Sequence, residues 1–217
     1  SMEATIASEP AAAKAYRVLE HMIGTLELAP ASFVTEGTLI ERLALGRTPV
    51  REAIQRLAWE GLLDVRPRAG IAIAPLHPGD WLRVLAARRG VEVVLARSAA
   101  RFVTREAADL FHEAALAMQK AVISGNVLAF IQADKALDEA LALAADNPFA
   151  ARLAAPLQTH SRRFWFRYKA DTGLAESAEH HVALIRPILA GDEEADAKAA
   201  KRLMTLLRGH ADAGLYA

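Results

Sequence analysis

The most restrictive feature of this chain is the stretch Ala44 to Arg47, with Gly46 inside it, which separates two segments of helical periodicity and is too short to be anything but a turn. Ahead of it, Thr35 can cap a short helix running to Leu43, with Leu39, Ile40 and Leu43 on one apolar side. Behind it, Thr48 and Pro49 read as a cap and first-turn pair. Val50, Ile54, Leu57 and Gly61 then recur at spacings of four, three and four, which predicts a helix that buries this stripe. An earlier helix spans Ala11 to about Leu26 on Ala15, Val18, Leu19, Met22 and Ile23, and ELAPAS ends it. After the third helix, Leu63 and Val65, then Ile71 and Ile73, alternate about a reversal at Pro67 to Gly70 and predict a two-stranded wing. Three tightly joined helices and a wing over residues 11–75 make a winged helix-turn-helix. In that layout the second helix of the motif offers its N-terminal residues to the DNA major groove.

The charges on the third helix fit that use. Arg47 and Arg51 sit where free N–H groups and aligned peptide dipoles are already positive, which costs roughly 0.3 to 1 kcal/mol in isolation. Against phosphate, or against guanine O6 and N7, the same cations become favourable, a bidentate contact discriminating by roughly 1 to 3 kcal/mol. Thr48 can cap and still reach a phosphate, and Gln55 shares the free face with Arg51. At the wing Arg66 and Arg68 precede Gly70, whose missing side chain would let the backbone approach a duplex. The alternative is an ordinary solvated face with Glu52 and Glu60 as partners. Lys plus Arg and Asp plus Glu both number 26, so any attraction to nucleic acid is local and not a property of the whole chain.

From about Pro78 the chain becomes alanine-rich and poor in strand signals. Six helices are predicted near 78–102, 104–123, 126–145, 147–168, 174–190 and 192–213, broken at Thr104, Gly125-Asn126, Asn147-Pro148, Asp171 to Gly173 and Gly191-Asp192. The fold class is therefore mainly α: a winged helix-turn-helix over 11–75, then an all-α antiparallel helical bundle over 78–213. Apolar residues make up 53% of the 217, which suits packed domains rather than disorder. There is no cysteine, which excludes a disulfide framework and, with no membrane span and no secretory pattern in SMEATIASEP, points to the cytoplasm. Ser1 ahead of Met2 reads as a remnant of cloning.

Polar groups interrupt the apolar stripes of the helical half. Asp134 shares a stripe with Phe130, Leu137 and Leu141, and Asp138 lies one turn on; Arg88 and Glu92 interrupt Trp81, Leu85 and Leu95; His181 shares a stripe with Leu184, Ile185 and Ile188. A carboxylate buried alone is costly and needs a cation or several donors. The segment THSRRFWFRYK sets His160, Arg162, Arg163 and Arg167 among aromatics, either as donors for an anionic ligand or as cations reaching outward from a core. Pro187 should kink the helix that carries His181.

Residues 11–75 resemble the winged helix of GntR-type transcriptional regulators, most plainly in GRTPVREAIQRLAWEGLL, and also in ELAPAS and RPRAGIAIAPL. The resemblance implies DNA contacts from Arg47, Thr48, Arg51 and Gly70. Gly46 and Gly37 depart from the family, which usually has Ser or Thr at the first and often arginine at the second. Residues 78–213 resemble the FCD-type effector domain through RGVEVVLARSAARF, ADKALDEALALAADNP and EHHVALIRPILAGDEEADAKAA. That resemblance implies a homodimer and a small carboxylate effector, for which Arg88, His160 and Arg163 are the candidate donors. It also implies a divalent metal (Mn, Ni or Zn) on an Asp, a His one turn later and two further histidines. Asp134 and His181 match; Asp138 stands at the one-turn position, and the last histidine falls near Leu203. Two carboxylates and one imidazole suit a harder ion such as Mn²⁺ or Mg²⁺ better than Zn²⁺. Equally, both aspartates can pair with arginines and His181 can be a satisfied core residue. The function implied is a ligand-responsive repressor acting on an operator, not an enzyme: no nucleophile with its base, phosphate-cradling loop or H-E-x-x-H helix is present. A metal-dependent enzyme with an attached DNA-binding module and a constitutive DNA-binding protein are the rivals.

Overall fold

The computed structural model describes residues 9–216, and the N-terminal stretch read above for a secretory pattern lies mostly outside them. The chain divides between Leu76 and His77 into two compact units.

The first unit runs α1 (Ala11–Gly24), β1 (Phe33–Val34), α2 (Glu36–Leu43), α3 (Arg47–Trp59), β2 (Leu63–Arg66) and β3 (Gly70–Ile73). Leu19, Ile23, Leu39, Val50, Leu57, Leu62 and Ile73 form a continuous buried core under the helices and sheet. Thr35 caps α2, its hydroxyl accepting from the Thr38 N–H at 3.1 Å. The turn into α3 is made by Ala44, a non-glycine residue in the left-handed region at φ 52°.

Three details differ from the sequence reading. The wing is part of a three-stranded antiparallel sheet of order β1-β3-β2, because Phe33 and Val34 pair with Ala72 and Ile71. Two residues are too few to show alternation, so β1 carries no periodic signal. Helix α3 begins at Arg47, two residues earlier than a Thr48 cap allows, with Gly46 in the cap position and no side-chain cap. Its buried stripe is Val50, Ala53, Ile54 and Leu57; Gly61 lies past the helix end, exposed, at φ 77°. The Leu62 N–H returns to the Leu57 carbonyl at 3.0 Å, so Gly61 is a helix-ending glycine and not a packing one.

The second unit is all helical: α4 (Pro78–Phe102), α5 (Arg105–Ser124), α6 (Val127–Ala145), α7 (Pro148–Lys169), α8 (Leu174–Val182), α9 (Ile185–Ala190) and α10 (Glu193–Gly214). Four starts carry side-chain caps, Thr104, Asn126, Asn147 and Asp192, each accepting from the N–H three residues on. The predicted 174–190 helix is two helices. Pro187 has no N–H to offer the Ala183 carbonyl and its ring crowds that turn, so the chain breaks at Ala183 and Leu184. Helix α4 runs through the middle, packed by α6, α7, α9 and α10. Its Trp81 stacks on Phe164 and Tyr168 of α7, at 5.8 and 6.1 Å between centroids.

Candidate functional site

The first candidate surface is the start of α3. With Gly46 in the cap position and no side-chain acceptor, the first N–H groups of the helix have no intrahelical partner. Around them Arg47, Thr48, Arg51 and Gln55 are all exposed, while the opposite face of the helix is buried. Arg51 is anchored: its Nε donates to Glu36 Oε1 at 2.8 Å, with 54% of its side chain still exposed. Tyr16, Arg56 and Glu60 form a separate group at the far end of the helix, the Tyr16 hydroxyl donating to Glu60 Oε2 at 3.0 Å and the Arg56 guanidinium 3.6 Å above the Tyr16 ring. Glu60 is therefore committed elsewhere and does not neutralise the arginines at the helix start.

At the wing, Arg66 pairs with Asp64 at 3.2 Å and lies over the Phe33 ring at 5.4 Å, and Arg68 is exposed at the tip in the left-handed region, φ 67°. Gly70 has a structural reason besides the approach to a duplex expected from the sequence. At φ 105° a Cβ there would stand 3.1 Å from the Val34 carbonyl oxygen, so the glycine lets β3 pair with β1. The close approach is to the protein's own backbone.

The second candidate site is a polar cluster in the helical unit. Helix α6 carries Asp134 and Asp138 one turn apart, and Arg162 of α7 bridges them: Nε to Asp134 Oδ2 at 3.2 Å and Nη2 to Asp138 Oδ2 at 2.6 Å. On α8 the His181 Nδ1–H donates to the Ser177 carbonyl at 2.6 Å, which turns Nε2 toward Asp134 Oδ1 at 2.9 Å. Among the described residues that oxygen has no other partner. Beside this group Arg88 Nε donates to Glu92 Oε1 at 2.9 Å and its Nη1 to Ser161 Oγ at 3.3 Å, while Gln158 Nε2 donates to the same Glu92 oxygen at 2.8 Å. Trp165 closes the floor, its indole N–H on Ser177 Oγ at 3.0 Å and its ring stacked on Phe130 at 4.9 Å. The groups surround a cavity of about 10 Å³, room for one water.

Burial and pairing pull the titratable groups apart. Burial pushes the Asp134 carboxyl up, but His181 and Arg162 outweigh it and hold the group below the ordinary carboxylate range. Asp138 is pushed up, by burial and by the Asp134 charge beside it. Burial alone would lower His181, yet the facing Asp134 carboxylate raises it. The Arg88 guanidinium, also opposed by burial, is raised by Glu92.

Of the expected effector donors, Arg88 lines the cavity; His160 and Arg163 do not. Arg163 is buried at 1% exposure and its pKa is pushed down to about 10 by burial. The reason is helical phase. Gln158, Ser161, Arg162 and Trp165 at spacings of three, one and three share the face of α7 turned to the cavity, and Arg163 lies about 100° around the helix from Arg162. That four-residue stripe was present in the sequence. On α10 the cavity is bounded by Leu207, one turn beyond the expected Leu203, and both are apolar.

The set does not fit a divalent metal centre. Among the described residues no three of His, Asp and Glu converge as an ion-binding group. Asp134 Oδ1 and His181 Nε2 are the two donors on hand, since Asp138 is taken by Arg162. A dication there would also compete with the Arg162 guanidinium for the same carboxylates and be repelled by its charge. Two donors with no third do not offset that.

The FCD domain family matches residues 83–206, and the family described as "Bacterial regulatory proteins, gntR family" matches residues 11–73. A probable D-xylose utilization operon transcriptional repressor of Paenarthrobacter nicotinovorans is 27% identical over 190 residues, covering 88% of this chain and 81% of that protein. The HTH-type transcriptional repressor RspR of Escherichia coli K12 is 31% identical over 102 residues, 45% of this chain and 42% of RspR. Matches of that shorter kind span 33% to 42% of the relatives' own length. Among solved structures, E. coli McbR/YncC superposes with a TM-score of 0.79 at 20% identity over 96% of this chain and 98% of that one, which establishes a shared fold.

Proposed function

Because this chain belongs to the gntR family of bacterial regulatory proteins, in the branch that carries an FCD domain, we propose that it is a dimeric repressor whose affinity for an operator changes when its helical unit takes up a small organic acid. The observation that carries the DNA half is the uncapped start of α3, with Arg47, Thr48, Arg51 and Gln55 exposed around free backbone donors. Such an end binds phosphate through its N–H groups and reads base edges through its side chains. Arg66 and Arg68 add a second basic point on the wing, and two copies of this unit read two half-sites.

The acid is proposed for the cavity between Arg88 and Arg162. Both guanidinium groups are occupied by the chain's own carboxylates, Glu92 on one and Asp134 with Asp138 on the other. An incoming carboxylate binds by exchange with one of these, and a space of about 10 Å³ has to widen to admit it. The widening is the differential contact that a linked equilibrium needs, since a ligand shifts two states only by its difference in affinity for them. The tight closure favours one rival, a helical unit that holds no effector. Apolar side chains exposed on one face of α5, Leu116 and Ile123, are a candidate contact between copies. No described helix is long and apolar enough to cross a membrane, and we place the protein's action in the cytoplasm.

The test is binding of fluorescent fragments from the gene's own upstream region as salt is varied. A specific, steeply salt-dependent association supports the reading; fragments that bind no better than unrelated DNA at any salt refute it. A melting shift with candidate acids separates the effector-responsive form from the constitutive one.

A further inference from the structure

We propose that Arg162 is the resident cation of the helical site, and that the native chain holds no divalent ion there because the guanidinium occupies the carboxylates that would bind it. Asp134 and Asp138 stand one turn apart on α6, Asp138 buried and Asp134 only 14% exposed, and two such carboxylates repel unless a positive charge lies between them. Arg162 lies between them, reaching Asp134 at 3.2 Å and Asp138 at 2.6 Å from a side chain only 4% exposed. A guanidinium suits this position better than an ammonium, because its planar fork donates in two directions at once.

The imidazole completes the group without calling for an ion. His181 is oriented by Ser177 so that Nε2 faces Asp134 Oδ1 at 2.9 Å, which engages the one Asp134 oxygen that Arg162 does not reach. On α10 the residue that lines this cavity is Leu207, which offers no ligand atom. The cluster is thus a closed set of internal ion pairs, and a metal ion and Arg162 compete for the same two carboxylates. Asp134, Asp138 and His181 do not converge while Arg162 holds the carboxylates; removing Arg162 frees both to turn toward the imidazole, and two carboxylates and one imidazole brought together in that way are a usable ligand set for a hard divalent ion.

The inference rests on the helical site of the preceding section but not on DNA binding. The chelator-treated full chain is titrated with Mn²⁺ and, separately, Zn²⁺, while bound metal is counted by native mass spectrometry and the melting temperature is followed. The wild-type chain is expected to bind neither ion at stoichiometric level and to show no saturable melting shift. Arg162→Gln is expected to gain one bound ion per chain and a saturable upward shift, both lost when Asp134→Asn is added. A wild-type chain that binds one ion, with that binding removed by Asp134→Asn, overturns the proposal, and so does an Arg162→Gln chain that takes up none. Arg162→Ala repeats the gain with a wider opening, and the wild-type arm stands whether or not either variant folds. Operator binding measured on the same samples reports on the DNA reading separately, so failure of one is visible without failure of the other.

Discussion

Replacing Arg51 with Ala and, separately, Glu36 with Gln should move operator affinity in opposite directions. In the free protein Arg51 is held by Glu36 at 2.8 Å, but the arginine side chain is 54% and the glutamate 33% exposed, so the pair is a surface ion pair worth at most about 1 kcal/mol. Contact of Arg51 with a guanine or phosphate is worth about 1 to 3 kcal/mol. The DNA contact therefore wins the competition, and Arg51→Ala should weaken binding by roughly tenfold or more per half-site, since 1.4 kcal/mol is a factor of ten. Glu36→Gln releases the arginine and removes a negative charge near the phosphates, for a gain of up to about fivefold. Glu36 also sits in the first turn of α2, where its charge is favourable by roughly 0.5 kcal/mol, so Glu36→Gln should lower the stability of the unit by about that much without changing its affinity. Fluorescence anisotropy on one operator fragment at fixed salt reads both. An unchanged affinity in Arg51→Ala, or weaker binding in a folded Glu36→Gln, would refute the placement of this helix end against DNA.

Other substitutions probe individual features of the chain. Gly70→Ala should lower stability without DNA present, because the alanine meets the Val34 carbonyl at 3.1 Å in a φ 105° conformation; a loss confined to DNA affinity, with urea midpoint unchanged, would return the glycine to the duplex. Ala44→Gly should raise stability by up to about 1 kcal/mol in urea titration by relieving a left-handed alanine, and no gain would mean the turn is not strained. Asp196, fully buried with neither carboxylate oxygen partnered, has its pKa pushed up to about 8 by burial, with Asp192 adding to the rise. The folded state thus keeps a proton that the unfolded state releases near pH 4, so this group's contribution to stability falls as pH rises from about 4 through 8. At pH 7 the loss approaches roughly 4 kcal/mol, at about 1.4 kcal/mol per unit, before the start of α10 offsets part of it. Asp196→Asn should therefore gain over wild type as pH rises from 5 to 8, and a difference independent of pH would contradict it.

Legibility of this chain in its sequence followed the strength of its local signals. Asparagine, threonine and aspartate caps before alanine-rich runs marked four helix starts in the second unit, because each such side chain satisfies one orphan N–H wherever it occurs. The two-residue β1 escaped because nothing in Phe33 and Val34 alternates; its existence depends on Ala72 and Ile71, far along the chain. The break at Ala183 was readable as a consequence of Pro187 but not as a full division, since whether a proline bends or splits a helix depends on what packs beside it. Gly61 was given the wrong reason, and at Gly70 the pairing of β3 with β1 is a reason the sequence did not offer: a missing side chain looks the same in sequence whether it serves a φ, a neighbouring strand or a ligand.

The helical site shows the same limit at the level of chemistry. That Asp134, Asp138 and His181 share buried stripes was readable from period alone, and the need for a positive charge among them follows from elementary electrostatics. Which cation supplies it was not, because THSRRFWFRYK offers two adjacent arginines and only the phase of α7 against α6 decides between them. Arg162 falls on the face with Gln158, Ser161 and Trp165, and Arg163 does not. One step of 100° about a helix therefore separates an internal guanidinium that holds two carboxylates from a buried arginine outside the cavity. If an acid enters the cavity as proposed and exchanges at Arg162, it meets a guanidinium that already serves two anions, and its grip and the closure of α6 on α7 would be alternatives within one set of ion pairs. An effector of that kind can report its presence without a metal, through the exchange alone.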